Sequence, residues 1–595
     1  MSIGKSIYVA ASGYREIWPK DGQMAFLGRW CFERENDPEL VDTGHWIGPC
    51  VWEKKGERAK AAEYLEVINE RTLQQLGDRL NELHGVEYDK RQWRILLGCW
   101  LFHAIHNLYE LFIHAEQVER EFGKEIWTRK LPHHQDYIPR VAIQIVQTQV
   151  SAFHKAFLFG LVATEMGWRV EPTEGPAPHE NELVIQRPVF SLPFRILSWV
   201  YSSFNLVNRL RSFGKKKTLF IRFGASIKQQ LCLLKEVDSS VCLTDVGRTP
   251  KKLNRVDFSL RKNCFNVLES EDRFEKVLGA CLPFMMPTAF LEDFKLWRNQ
   301  AFKLPIDRIS KVLTSIGFAY DEAFGFYAAR LFESGASLIG VQHGGGYGMF
   351  DYCPEEIHEA LCADHYITWG WKSGNNHRPL PSLRIADCPK FRPFKSRNSQ
   401  CLVIGSARPR HAHRIQSGPL GGQMGSYFRL QQELFEQLQP NVFERCAFRP
   451  YPRLYGNEDG AWYRESNTNP RLELRKMSFV LKEYNLFVYD HNGTGFLETM
   501  ANGYPTVIVW DPKIWPVRKE SESELLELQE VGIFHPSAVS AARHLTSVIH
   551  EPETWWNKPN VIAVREKFVN RYARGSGEDW LTEWKNWLQP PHNKQ

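Results

Sequence analysis

The chain opens on a short apolar run, Lys5–Ser12 (KSIYVAAS), that ends in small residues. This predicts a buried first strand and a tight turn, the start of a Rossmann-like unit. From about Ala59 to Glu119 the period changes: apolar residues recur every three or four positions through YLEVINERTLQQLGDRLNELH and RQWRILLGCWLFHAIHNLYELF. That spacing predicts long helices forming an insertion or lid. From Lys311 the pattern alternates, with an apolar run KVLTSIGFAY, a helical DEAFGFYAARLFESG, a second run ASLIGVQHGGG, and later DHYITWGW. Strand, helix, strand with glycine-bearing turns is the pattern of a parallel, doubly wound sheet.

A proline- and basic-rich stretch, HRPLPSLRIADCPKFRPFKSRNSQ, interrupts this alternation before CLVIGSARPR starts it again. The second series runs through CAFRPYPRLYG, NLFVYDHNGTGFLETMANG and YPTVIVWDP, then ends in tryptophan-rich helices from Ser540 to Leu588. The predicted fold class is therefore α/β, with two doubly wound Rossmann-like domains: residues 1–384 with a helical insertion at about 59–119, residues 385–560, and a helical tail over 561–595.

Length supports at least two cores, since 595 residues exceed what one domain accommodates. Hydrophobic residues at 43% and charged residues at 24% exclude a disordered or fibrous class. A net charge of +6 is too mild for a nucleic-acid binder and is compatible with a small anionic substrate. Twelve scattered cysteines without a C-x-x-C pair read as thiols of a reducing compartment, and no zinc site follows from them. The N-terminus lacks a basic segment followed by an apolar one, and no run reaches the roughly 18 apolar residues of a membrane span. A cytoplasmic location is expected. Val189–Lys217 combines apolar and aromatic positions with a basic end, offering a peripheral contact with the inner face of the membrane. An interdomain helix capped by a solvated lysine run accounts for the same pattern. His103 and His106 stand one turn apart without a third ligand and read as packing residues.

Three constellations carry candidate chemistry. In Leu486–Asp511 a strand ends at Asp490, the turn Asn492-Gly493-Thr494-Gly495 follows, and a helix containing Glu498 begins. Backbone N–H groups at such a helix start hold phosphate, and Glu498 is placed to accept from sugar hydroxyls. A capped helix with a tight turn needs no ligand to explain it. In Phe448–Gly456 the arginines Arg449 and Arg453 flank a stiff Pro-Tyr-Pro segment containing Tyr451, aimed at a diphosphate or a carboxylate, or simply forming a surface loop. In Val341–Gly348 the glycines Gly344, Gly345 and Gly346 follow His343 at a strand's C-terminal end, where doubly wound sheets bind ligands. His343 is the first candidate general base; Asp321 and Glu322, after the preceding strand, compete with it.

Absent motifs narrow the class. There is no G-x-x-x-x-G-K-[ST] loop, H-E-x-x-H, G-x-S-x-G elbow or dinucleotide G-x-G-x-x-G, which weighs against ATPases, zinc peptidases, serine esterases and typical dehydrogenases. Nor is there an Asp-x-Asp to hold a metal-bound nucleotide diphosphate, so a metal-independent site is expected.

Taken together, FLGRWC at Phe26–Cys31, LNELHGVEYDKRQWRILLGCWL at Leu80–Leu101, VQHGGGYG and HNGTGFLETMANGYP resemble a transferase family of bacterial O-antigen and other surface-carbohydrate loci, over most of the chain. The resemblance implies a GT-B arrangement: two Rossmann-like domains facing a cleft, the C-terminal one binding the nucleotide donor. More distantly the layout is similar to capsule Kdo transferases, bacterial sialyltransferases and CDP-glycerol glycerophosphotransferases, which use a His-Gly, a His-Pro and a Ser/Thr-rich helix start. His343-Gly344 matches the first and Asn492-Gly493-Thr494 stands at the third, whereas the second departs to Tyr451-Pro452, leaving Arg449 and the Asn492–Thr494 turn to bind phosphate. The implied activity is metal-independent transfer from a nucleotide-sugar, such as a CMP-linked acidic sugar, to a glycan or lipid-linked glycan, with no cofactor and no nucleic-acid partner. Polyol-phosphate transfer of the CDP-glycerol type and a non-catalytic carbohydrate-assembly role are the alternatives.

Overall fold

A computed structural model describes residues 6–32, 34, 45–148, 151–173, 215–237, 240–243, 246, 250, 253–268, 270–392, 400–464, 469–575 and 579–589. Residues 189–214 of the basic apolar segment considered above therefore lie outside the described residues.

Seventeen described strands form three parallel sheets. The first contains β1 (Ile7–Ala10), β2 (Met24–Phe26), β3 (Trp46–Ile47), β4 (Ile126–Lys130) and β5 (Arg169–Pro172), in the order β3-β2-β1-β4-β5. The second contains β6 (Lys217–Ile221), β7 (Ser240–Leu243), β8 (Ile309–Thr314), β9 (Ser337–Val341), β10 (His365–Thr368) and β11 (His377–Pro379), in the order β11-β10-β9-β8-β6-β7. The third contains β12 (Cys401–Ile404), β13 (Cys446–Arg449), β14 (Arg471–Leu472), β15 (Leu486–Tyr489), β16 (Thr506–Val509) and β17 (Phe534–His535), in the order β14-β13-β12-β15-β16-β17. Counted from its own first strand the third sheet reads 3-2-1-4-5-6 and the second 2-1-3-4-5-6, the two doubly wound orders. Each reverses direction at one point, between β12 and β15 and between β6 and β8. Ligand crevices open there, beyond the carboxyl ends of the strands.

The α/β class and the doubly wound, GT-B-like arrangement expected for the second and third sheets are present. Residues 1–384, however, hold two sheets where one was expected. The strands of the first sheet are two to five residues long, too short to show alternation. The expected helical insertion corresponds to two helices, Glu57–His84 and Lys90–Phe122. Gly85, at φ 64°, closes the former in the left-handed conformation, and Asp89 with Gln92 forms a capping box for the latter.

This helix pair is not a lid. Lys90–Phe122 packs against Glu57–His84, Ala152–Glu165, Glu322–Glu333 and Pro354–Cys362. It is long and apolar enough to span a membrane by composition, yet 94% of its most apolar window is buried inside the molecule, as for a core helix. His103 and His106 are buried in it, with His103 Nε2 2.6 Å from the Tyr320 hydroxyl and His106 Nδ1 accepting from the Ile415 N–H at 3.2 Å. They are packing residues, as expected.

The C-terminal helix Trp580–Leu588 returns to the second sheet rather than forming a free tail. Trp584 donates to Pro381 O at 2.9 Å, Lys311 Nζ donates to Leu588 O at 2.7 Å, and Lys585 pairs with Glu236 at 3.0 Å.

Candidate functional site

β9 runs into Gln342-His343-Gly344-Gly345, and β15 runs into Asp490-His491-Asn492-Gly493 before the helix Thr494–Ala501. These two turns meet. The Gly345 N–H donates to Thr494 Oγ1 at 2.8 Å, although the residues are 149 positions apart. A Cβ on Gly345 would stand 2.5 Å from Gly493 O, so only glycine permits this approach of backbone to backbone.

A cavity flanks the contact on each side. One, of about 200 Å³, lies at the ends of β6, β8, β9 and β10, with Ser315, His343, Trp369, Arg384 and Trp584 in its wall. The other, of about 240 Å³, lies at the ends of β12, β13 and β15, with Arg449, Tyr451, His491, Gly495 and Glu498 in its wall. Arg384 Nε in the first wall donates to Glu498 Oε1 in the second at 2.5 Å, which makes the cavities neighbours. A larger hollow of about 560 Å³, between Arg29, Cys50 and Arg429, contains none of the candidate catalytic or donor-binding residues.

In the first cavity His343 keeps about a third of its side chain exposed, with Nδ1 3.3 Å from Glu359 Oε1. Glu359 is buried on the helix Pro354–Cys362 and also accepts from the Tyr366 hydroxyl at 2.7 Å and the Tyr347 hydroxyl at 3.3 Å. Burial alone would lower the His343 pKa, but the Glu359 carboxylate and a backbone contact at Ser315 outweigh it and raise the pKa above the ordinary histidine value. Glu359 thus orients the ring and supports its protonated form.

Asp321 and Glu322, the competing base candidates, line neither cavity. Asp321 caps the helix Glu322–Glu333, accepting from the Phe324 N–H at 3.1 Å, and pairs with Arg222. Glu322 is buried, accepts from the Ala142 N–H, and has its carboxyl raised to about 7 by burial. Helix capping and interior packing account for both.

In the second cavity several expected roles shift. Protein groups engage the Asp490 carboxylate: its Oδ1 accepts from the Tyr427 hydroxyl and its Oδ2 from Gln431 Nε2, both at 2.7 Å. Oδ1 is also 2.9 Å from His491 Nδ1, so Asp490 fixes the His491 ring in the cavity wall. Arg449 lines the cavity but is spent on backbone, donating to Glu473 O at 3.3 Å and to Arg475 O. Tyr451 lines it, whereas Arg453 is exposed outside it. Gly493 is the N-cap of Thr494–Ala501, and no side chain caps the helix there. Asn492 buries its amide with neither atom hydrogen-bonded.

Arg408 is a cation that sequence reading did not single out; it lines neither cavity but shares the Trp515 ring with His491. It stands in the loop after β12, its guanidinium 5.5 Å from the Trp515 ring centroid, and it makes no side-chain hydrogen bond or ion pair among the described residues. Burial lowers its pKa; the groups opposing that shift are Tyr427, Cys353, Tyr451 and Tyr455, not a carboxylate. Glu359 and Arg408 carry no local motif, because each gains its place from a contact with a residue distant in sequence, whereas His491 lies inside HNGTGFLETMANGYP and is fixed by its neighbour Asp490. Among the described residues no group of three or more His, Cys, Asp or Glu side chains is placed to hold a metal ion.

Among curated proteins no sequence matches the chain. Among solved structures it is similar to a UDP-forming alpha,alpha-trehalose-phosphate synthase from Burkholderia xenovorans, at 12% identity over 63% of this chain and 98% of that one, with a TM-score of 0.33, a likeness too low to bear on function. The family model is a different matter, since it spans residues 7–588 and so takes in all three sheets, both glycine turns and the returning C-terminal helix: the chain belongs to the LIC12162 family of transferases.

Proposed function

We propose that this transferase is a glycosyltransferase, moving a sugar from a nucleotide-activated donor to a surface-polysaccharide or O-antigen acceptor at the cytoplasmic side of the membrane. The observation that carries the reading is the Gly345–Thr494 contact, which sets a cavity with a supported histidine beside a cavity with anion-binding groups. The donor occupies the third-sheet cavity. The uncapped N–H groups of Thr494–Ala501 and His491 receive its phosphate, and Arg408, which shares the Trp515 ring with His491, adds positive charge beside them. These groups stabilise the leaving phosphate without a divalent ion.

The acceptor lies in the second-sheet cavity, whose wall is backed by the nearly buried Trp369 and Trp584. His343 takes the proton from the attacking hydroxyl as the bond from that oxygen to the anomeric carbon forms and the bond to the leaving phosphate breaks. Glu359 stabilises the resulting imidazolium. The acidic-sugar donor suggested by the similarity to Kdo and sialic acid transferases makes CMP the first nucleotide to test.

The test is a thermal-shift series with CMP, CDP, UDP and GDP, each in magnesium and in EDTA. A nucleotide at about a hundred times its dissociation constant stabilises the native state by about 2.7 kcal/mol. A shift with one nucleotide, retained in EDTA and lost in Arg408→Gln, is expected. No shift with any nucleotide would overturn the reading, and a shift only in magnesium would overturn its metal-free form.

A further inference from the structure

β14 is an edge strand, paired on one side with β13 and open on the other. Glu473, which follows it, turns inward and is buried, so by alternation Leu472 and Leu474 turn outward. Leu474 is 72% exposed, more than any other large apolar side chain among the described residues, and Phe479 is 59% and Leu472 40% exposed. Scattered single apolar residues on a surface are ordinary, but three within eight positions make a patch.

The patch is ringed by positive charge. Residues 471–484 hold four basic residues against two acidic ones. Both acids are engaged by one cation: Arg475 pairs with Glu473 and, at 2.7 Å, with Glu483. Arg471, Lys476 and Lys482 are exposed and have no carboxylate partner among the described residues. The Glu473–Arg475–Glu483 bridge, the Tyr484 hydroxyl donated to Glu473 at 3.1 Å, and Arg449 on the carbonyls of Glu473 and Arg475 pin the segment from below. The surface is therefore preformed, and little ordering cost opposes binding to it.

We propose that this edge of the third sheet docks onto an anionic lipid bilayer. Leu472, Leu474 and Phe479 enter the interfacial region while Arg471, Lys476 and Lys482 meet lipid phosphates, the division of labour of interfacial membrane anchors. The short helix carrying Phe479 also contributes Met477 to the wall of the third-sheet cavity, with Leu481 just beyond it, so docking sets that cavity at the membrane surface. The inference is independent of which group the enzyme transfers.

The experiment is flotation of the full chain with vesicles of phosphatidylcholine alone and of phosphatidylcholine and phosphatidylglycerol in equal parts, at low and high salt. The chain is expected to float with the anionic vesicles at low salt and to be released by high salt. Leu474→Ser with Phe479→Ser should weaken partitioning by at least about tenfold. Lys476→Glu with Lys482→Glu should weaken it by roughly fivefold for each charge lost. All four positions are exposed, so an unchanged melting temperature should accompany both losses. Failure of the wild-type chain to float, or flotation of the apolar double variant equal to wild type, would overturn the proposal. So would a concentration-dependent dimer in sedimentation that Leu474→Ser with Phe479→Ser dissolves, which would assign the patch to a second copy of the chain.

Discussion

The backbone N–H of Gly345 reaches the side-chain oxygen of Thr494 at 2.8 Å, tying the carboxyl end of β9 to the first residue of the helix after β15. The register of the two cavities depends on this bond and on the lack of a side chain at Gly345. Gly345→Ala would put a methyl group 2.5 Å from Gly493 O, against backbone that cannot rotate away. Overpacking of this kind costs about 1–3 kcal/mol, and a displacement of about 1 Å between reacting groups costs on the order of a hundredfold in rate. Turnover should therefore fall by about two orders of magnitude while the protein still folds. Thr494→Val, which keeps shape and removes the acceptor, should give a smaller loss in the same direction. Initial rates with the donor found by thermal shift, set beside melting temperatures, check both; a full-rate Gly345→Ala enzyme would show that the contact does not align the site.

Glu359 raises the His343 pKa, and a base must be unprotonated to act, so the wild-type rate should climb with pH through a value above the ordinary histidine one. Glu359→Gln removes the carboxylate but leaves an amide to accept from Tyr366. With burial then opposed only by the backbone contact at Ser315, the His343 pKa drops and the acid limb of kcat/KM moves to lower pH. The plateau should fall as well, by about ten- to a hundredfold, because the imidazolium loses its counter-charge. A plateau loss without movement of the limb would mean that Glu359 supports the fold rather than the base.

Arg449 and Arg408 should separate in opposite directions. Arg449 spends its guanidinium on the carbonyls of Glu473 and Arg475, so Arg449→Ala should cost about 1–3 kcal/mol of stability. Arg408 is a crowded cation facing Trp515 and neutral hydroxyls. Replacing it with methionine removes a charge that the apo protein does not compensate, so Arg408→Met should leave the melting temperature unchanged or raise it while weakening nucleotide binding at least about tenfold. Melting curves with and without nucleotide distinguish these outcomes, and nucleotide affinity unchanged in Arg408→Met would remove Arg408 from the site.

Much of this architecture is legible in sequence where elements are long and bounded by turn residues. Leu486–Tyr489, the Asn492–Gly495 turn and the helix beyond fall where the pattern places them, as do β8, β9, β10 and β12. Of the first sheet only β1 is legible, lying inside the apolar run Lys5–Ser12, because a three-residue strand such as Met24–Phe26 is no longer than an ordinary loop contact. The helical period of Ala59–Glu119 is equally clear, but period alone does not distinguish a surface lid from a helix buried on every side; partners contributed by Tyr320, Tyr352, His413 and Ile415 make the difference for His103 and His106. At the site, sequence identifies the turns but not the protein partners that their polar side chains find. Asp490 and Arg449 carry suitable chemistry, yet Gln431 and Tyr427 engage the first and two distant carbonyls the second. Which end of a polar side chain remains open is decided by residues tens of positions away.

Buried histidines give the fold a pH limit of their own. Burial lowers His106 and His413 to about 3 and His154 and His358 to about 4, whereas an unfolded chain titrates each near the ordinary 6.5. With the folded pKa depressed, the unfolded state binds more protons below about pH 6.5, so stability is full above that value and falls as pH descends toward the folded pKa values. Each ring adds a slope of about 1.4 kcal/mol per pH unit. Between about pH 6.5 and 5 most carboxylates remain ionised in both states; Glu322, raised to about 7, has the opposite slope and offsets about one ring, so the more numerous histidines dominate. Urea midpoints should therefore drop steeply across that interval and stay level above it. His358→Gln can keep a donor for Phe318 O, the partner that His358 Nε2 meets at 2.9 Å, and should remove one ring's contribution from the slope. Midpoints that stay level from pH 7 down to about 5 would show that these rings accept protons inside the folded protein.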